Sequence, residues 1–376
     1  MADSIPVSGE AAAPFEGVRE AFVNNLESGD DLGAAFAVFI NGEKVVDLVG
    51  GFTDRARQEP WTDETLACIY SSGKAAVAML VARAVSDGDL DYEAPVASLW
   101  PEFGEAGKET ITVAEALSHQ GGLCGFPDEM PPEDWLDRGK IAGRLARMAP
   151  LWEPGSASGY HPQTFGFLAN EILRRATGRT IGAMLREDFC EPYGLHLFCG
   201  MREDEIPRAA YMPKPPRAPD LGPVTPLKQY AFLKPWSAPA RVSREAWMAA
   251  ELPASNIHAE ARSLAEIVQP FVNHGRFREA RILSGEAIEQ ALAECIEGDD
   301  LVLPFHLSWA AGVMRNVNGH FGPSPTAFGH AGFGGSAVVF DPAHGLSAAY
   351  VMNKMSPHLV GDPRSVRLID AVYAAL

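Results

Sequence analysis

The hydrophobic pattern changes period three times along this chain. From Leu32 apolar residues run through Ala35-Phe36-Ala37-Val38-Phe39-Ile40, pause at Asn41-Gly42 and resume over Lys44 to Val49. Two β-prone runs joined through Asn-Gly predict a hairpin, because Asn and Gly adopt the positive φ angles of a tight hairpin turn. After Cys68 the period becomes helical: Ala75 to Ala82 is uncharged and apolar, and Ser86-Asp87-Gly88 supplies the stop. Helical spacing recurs over Ile111–Leu117, Ala142–Met148, Phe165–Thr177, Ile181–Phe189, Ala259–Phe271 and Ser284–Glu294. Strand patterns return over His306–Met314, Ser336–Phe340 and Leu346–Met352, with Asp341 to Gly345 as a turn, and Asp362–Leu376 closes as a helix. Strands at both ends with helices between them predict an α+β fold: one antiparallel sheet built from the two termini (1–60 with 290–376), flanked by helices, and a mainly helical domain (61–289) inserted in it. The active site is expected between the two.

One segment fits neither period. Between Pro207 and Pro239 lie nine prolines, a density that argues against regular helix and for a long excursion. Such a segment is either a passive surface loop or a wall of a substrate pocket.

Composition narrows the partners. The 376 residues carry a formal charge of −18, which argues against a nucleic-acid backbone or an anionic membrane, since both select basic surfaces. No run approaches the length of a membrane span, and Met1 to Phe15 has no basic residue and no long apolar core of a leader. The five cysteines are odd in number and scattered, so a reduced, cytoplasmic setting is expected. No His/Asp/Glu cluster has zinc-ligand spacing; neither a metal nor a cofactor is expected.

The candidate chemistry starts at Ser71-Ser72-Gly73-Lys74, at the head of the uncharged helix. Residues three apart share a helix face, so Ser71 and Lys74 are neighbours there. Burial lowers a lysine pKa, and a neutral amine can take a serine proton. Taken alone, the pattern also describes an ordinary core helix with a capping serine. Two further stretches complete a constellation: Gly159-Tyr160-His161-Pro162, whose tyrosine can relay a proton, and His330-Ala331-Gly332-Phe333-Gly334-Gly335, whose glycines let backbone amides approach a ligand.

In that order these blocks resemble the penicillin-recognising serine hydrolases, and within them the class C β-lactamase-like esterases known as family VIII carboxylesterases. Ala116 to Leu123, and Asn256 followed by Ala261-Arg262-Ser263-Leu264-Ala265, extend the resemblance over roughly Gly33 to Met352. It implies a β-lactamase/penicillin-binding-protein-like fold, with Ser71 as nucleophile, Lys74 as base or its support, and Tyr160 exchanging protons. The Ser71 and Phe333 amides become the oxyanion hole, and His330, Gly332, Gly334, Asn256 and His161 contact substrate. It also implies a covalent acyl-enzyme formed from a small-molecule ester. Class C β-lactamases have asparagine where this chain has Pro162, and Lys-Thr-Gly where it has His330-Ala331-Gly332. Those departures favour short-chain esters, with weak β-lactam or amide hydrolysis, or acyl transfer, as alternatives. No Gly-x-Ser-x-Gly elbow points to an α/β-hydrolase.

Overall fold

The computed structural model describes residues 5–376; the first four residues of the Met1 to Phe15 stretch lie outside it. Its centre is a nine-stranded antiparallel sheet in the order Val7–Ala11, Glu43–Gly51, Gly33–Ile40, Leu346–Met352, Ala337–Asp341, Phe328–Ala331, Met314–Arg315, His306–Trp309, Ile296–Asp299. Strands from the two ends of the chain meet at one seam, where Gly33–Ile40 pairs with Leu346–Met352. Both are buried on both faces, and the strand period of two sorts their side chains. Ala34, Phe36, Val38, Ala348 and Tyr350 pack with Val18, Phe22, Leu368 and Val372 of the terminal helices Glu16–Glu27 and Pro363–Tyr373. Ala35, Ala37, Phe39, Ala349 and Val351 belong to the larger core, shared with the Gly73–Ser86 helix and the helical part of the chain.

Gly73–Ser86 is buried along nearly its whole length, Arg83, Val85 and Ser86 being the partly exposed positions. Its Ala-rich composition lets neighbouring helices approach closely while keeping high helix propensity. Thr164–Thr177 lies against it and ends at Gly178, whose φ of 78° is the left-handed conformation of a helix stop. No helix among the described residues is long and apolar enough to cross a membrane, and all five cysteines are free thiols.

Several elements depart from the periodic reading. The Val7–Ala11 edge strand and the Glu16–Glu27 helix were not anticipated from the pattern. The run His306–Met314 is two strands, because Ala310 to Gly312 turns the chain where a side chain at Gly312 would press on Ala78 and Phe165. His330 sits in the Phe328–Ala331 strand, ahead of the glycine turn. The proline-rich segment does contain helix: Pro226–Lys228 runs on to Leu233, capped by Thr225 Oγ1, since a proline in the first turn forfeits only an N–H that has no helical partner.

Candidate active site

Ser71 lies in a single 3-10 turn, Tyr70–Ser72, immediately ahead of the Gly73–Ser86 helix. The turn is held from three sides. Ile69 N–H donates to Ile257 O at 2.9 Å, and Ser336 Oγ donates to Ile69 O at 2.8 Å. Ser72 Oγ lies 3.1 Å from Ser336 Oγ. Tyr70 has φ 45°, a left-handed backbone that a bulky residue rarely adopts, so local strain presents the next residue, Ser71, to the cavity.

Lys74 is fully buried. Its Nζ lies 3.0 Å from Ser71 Oγ and 3.0 Å from Tyr160 Oη, and it donates to Pro162 O at 3.2 Å and Ala254 O at 3.1 Å. Desolvation holds the amine's pKa well below the usual lysine value, with no carboxylate beside it to oppose the shift. Tyr160 Oη donates to Ser71 Oγ at 2.7 Å, while burial holds the phenol well above its ordinary pKa. The Tyr160 backbone is fixed from behind: Asp300 Oδ1 accepts from the N–H groups of Tyr160, Val302 and Leu303 at 3.0, 2.9 and 2.8 Å. The ring is stacked on Trp309 and met edge-on by His119.

Gly332 brings the last strand motif against this turn. A Cβ there would meet Ile69 O at 2.3 Å and Ser336 Oγ at 2.1 Å, so only glycine lets the two backbones touch. Phe333 follows, its ring edge-on to Tyr70 at 5.6 Å, and its amide makes no hydrogen bond within the described residues. Gly334 turns the chain away with φ 96°, next to Met355.

Ser71, Tyr160, His330 and Phe333 open onto one cavity of about 440 Å³. Its remaining walls are mostly apolar: Leu303, Met314, Leu359 and Val360, with Pro219, Leu221, Ala231, Phe232 and Leu233 from the proline-rich segment. That segment is therefore a pocket wall. His330 is buried, Nδ1 2.9 Å from Ala331 O, and desolvation lowers its pKa to about 3. Burial therefore favours the neutral ring. Among the described residues no Lys or Arg lines the cavity.

Two residues expected at the substrate serve elsewhere. Asn256 is buried with its amide spent on its own turn, accepting from Leu252 N–H and donating to Trp247 O and Ala250 O. His161 accepts from Leu123 N–H through Nε2 and binds Gly159 O through Nδ1, outside the cavity lining. Both brace loops, because a short polar side chain beside a bend finds backbone partners closer than any ligand. Gly332 and Gly334 act through backbone packing, and neither lines the cavity. Gln163 and Ser255 do line it, with Ser255 Oγ donating to Gln163 Oε1 at 2.8 Å, and sequence reading had no pattern to single them out. Among the described residues no group of His, Cys, Asp or Glu could hold a metal ion.

The sequence matches the Beta-lactamase family over residues 18–372. It is 32% identical over 373 residues to the esterase/beta-lactamase LipL of Mycobacterium tuberculosis, covering 94% of this chain and 84% of that protein. The structure is similar to that of a penicillin-binding protein homolog from Caulobacter crescentus (49% identity, TM-score 0.96, covering 99% and 100% of the two chains). It is also similar to a family VIII carboxylesterase (37% identity, TM-score 0.93, covering 99% and 100%).

Proposed function

This chain belongs to the beta-lactamase family, and on that premise we propose that it is a serine carboxylesterase cleaving uncharged short-chain acyl esters through an acyl-enzyme on Ser71. The observation that carries the reading is the position of Ser71 Oγ, 3.0 Å from Lys74 Nζ and 2.7 Å from Tyr160 Oη, in an apolar cavity without a cation.

Counting protons supports Lys74 as the base. A neutral lysine amine has two N–H groups and one lone pair. Carbonyls only accept, so the two N–H groups are taken by Pro162 O and Ala254 O, and the lone pair is left for the side where Ser71 and Tyr160 lie. Tyr160 keeps its proton and donates it to Ser71 Oγ, so Lys74 is the group that can receive the Ser71 proton. Attack of Oγ on the ester carbonyl forms the tetrahedral oxyanion, stabilised by the Ser71 and Phe333 amides. Collapse breaks the bond to the alkoxy oxygen, which leaves as the alcohol with a proton relayed from Lys74 through Tyr160. Water then adds to the acyl-enzyme, its proton passing back to Lys74, and the carboxylic acid departs as Ser71 recovers its own.

The substrate's neutrality follows from the walls. A β-lactam brings a carboxylate that needs a cation or several donors, and here the strand position is a neutral buried His330 and the position two beyond Tyr160 is Pro162. Hydrolysis of p-nitrophenyl acetate and butyrate by wild type and Ser71→Ala tests the assignment. The variant is expected to lose about 10⁴-fold or more in kcat; equal rates overturn Ser71 as nucleophile. A cephalosporin cleaved faster than either ester favours an amide hydrolase instead, and ester products formed with added alcohols favour acyl transfer, a fate open to the same intermediate.

A further inference from the structure

The Phe333 amide can serve as an oxyanion donor only if the turn that presents it is held in place. Phe333 lies in a stretch with three glycines, Gly332, Gly334 and Gly335, and glycine backbone is the least able to hold one conformation unaided. Gly335 N–H donates to Gly332 O at 3.0 Å, which sets the plane of the Gly332–Phe333 peptide. The far end is gripped from the loop after the Leu346–Met352 strand and from the first turn of the C-terminal helix. Gly334 O accepts from Ser356 N–H at 2.9 Å and from Arg364 Nη2 at 2.7 Å.

Arg364 is a buried guanidinium whose five N–H groups each have an acceptor. Nε and Nη2 grip Asp362 Oδ1 and Oδ2 at 2.9 and 2.8 Å, Nη1 binds Asp31 Oδ1 at 2.9 Å and Lys354 O at 2.6 Å, and the remaining Nη2 proton is the one on Gly334 O. The fork is therefore fixed in orientation by two buried carboxylates before it reaches the turn. Space is matched to it, because a Cβ on Gly335 would stand 2.2 Å from Arg364 Nη2. Asp31 precedes the first central strand, Lys354 follows the last one, and Asp362 caps the closing helix. A single side chain ties the sheet seam to the oxyanion turn.

We propose that Arg364 is a positioning residue for the oxyanion hole: by clamping Gly334 O against the Asp31–Asp362 pair, it holds the Phe333 amide at the distance the tetrahedral intermediate requires. The inference rests on the esterase reading of the same site. Arg364→Lys keeps the charge but loses the fork, so it can satisfy Asp31 and Asp362 without reaching Gly334 O.

The test compares p-nitrophenyl acetate with its thiono analogue, whose C=S sulfur accepts N–H hydrogen bonds poorly and reports on oxyanion contacts. In Arg364→Lys, kcat for the ester is expected to fall at least tenfold with KM within about twofold, since a whole oxyanion donor is worth about 10²–10³ in kcat. The ester-to-thionoester ratio is expected to fall by a similar factor. Equal losses on both substrates, or a lowered melting temperature with kcat and the ratio unchanged, overturn the proposal by making Arg364 a purely structural brace. If Arg364→Lys does not fold, Ser356→Ala decides: it removes the hydroxyl that holds Asp362 Oδ2, and an unchanged ratio there overturns the clamp while a reduced one supports it. Ester hydrolysis that persists unchanged in Ser71→Ala defeats the esterase reading itself, a separate result from either of these.

Discussion

Lys74 and Lys108 are both fully buried, and they do opposite work. Lys108 Nζ donates to Glu105 O at 2.7 Å, Ala146 O at 3.0 Å and Met148 O at 2.6 Å: three acceptors for the three protons of an ammonium. It stitches the 105–108 turn to the end of the Arg138–Arg147 helix. Lys74 meets two carbonyls and two hydroxyls, so one direction around its nitrogen faces groups that can give a proton as well as take one. Burial depresses the pKa of both, Lys108 with opposing help from Glu105 and Glu109, Lys74 with none. On the proposed mechanism, burial alone does not make a lysine a base; what differs is whether its neighbours are fixed acceptors or exchangeable hydroxyls.

The sharpest way to break this contrast is to remove each amine in turn. Lys74→Met, similar in length and apolar, is expected to lose about 10³-fold or more in kcat for p-nitrophenyl butyrate, the scale of a general base, with near-native circular dichroism. The same experiment has a pH signature. In the proposed mechanism Lys74 acts when neutral, and its pKa is depressed, so wild-type kcat is expected to rise as pH climbs through that lowered value, well below the usual lysine range. Lys74→Met should show a low rate without that limb; an acid limb that survives in the variant assigns it to another group.

Lys108→Met is expected to do the reverse. Three carbonyls lose their partner, so thermal or urea unfolding should show a loss of about 2–5 kcal/mol, while kcat per folded molecule stays as in wild type. A fall in kcat without a fall in stability contradicts the division of labour drawn between the two residues.

The smallest effect is expected at the cavity mouth, where chemistry and stability are both distant. Leu233 is half exposed on the proline-rich wall. Leu233→Ala should change the ratio of kcat/KM between butyrate and octanoate esters by roughly 2–10-fold, the worth of about one kcal/mol of apolar contact, with little change in melting temperature. An unaltered chain-length profile means that the substrate does not extend along this wall.

The legible parts of the site were those encoded by local spacing or by order. Ser71 and Lys74 are one helical turn apart in any helix containing both, and the long central strands announced themselves as apolar runs beside an Asn-Gly turn. The illegible parts act through backbone atoms. Asp300 holds Tyr160 by its N–H, Lys108 is defined by three carbonyls, and Arg364 grips Gly334 O across 30 residues. A carbonyl carries no sequence signature, so no motif marks its partner. Asn256 and His161 failed for the matching reason: residue type tells that a buried polar group needs partners, but not whether they are a ligand or the nearest loop.

By itself the sequence determined the α+β class, the Ser71–Lys74 adjacency and the order in which Tyr160 and the His330-Ala331-Gly332 block follow, because these depend on periodicity and covalent spacing. Tertiary structure alone decided that Lys74 stands among two carbonyls and two hydroxyls, that His330 is a neutral buried ring, and that a proline-rich excursion closes an apolar cavity over Ser71. Those properties depend on desolvation and on distances between segments 86 to 258 residues apart, which are set only when the two ends of the chain pair into one sheet.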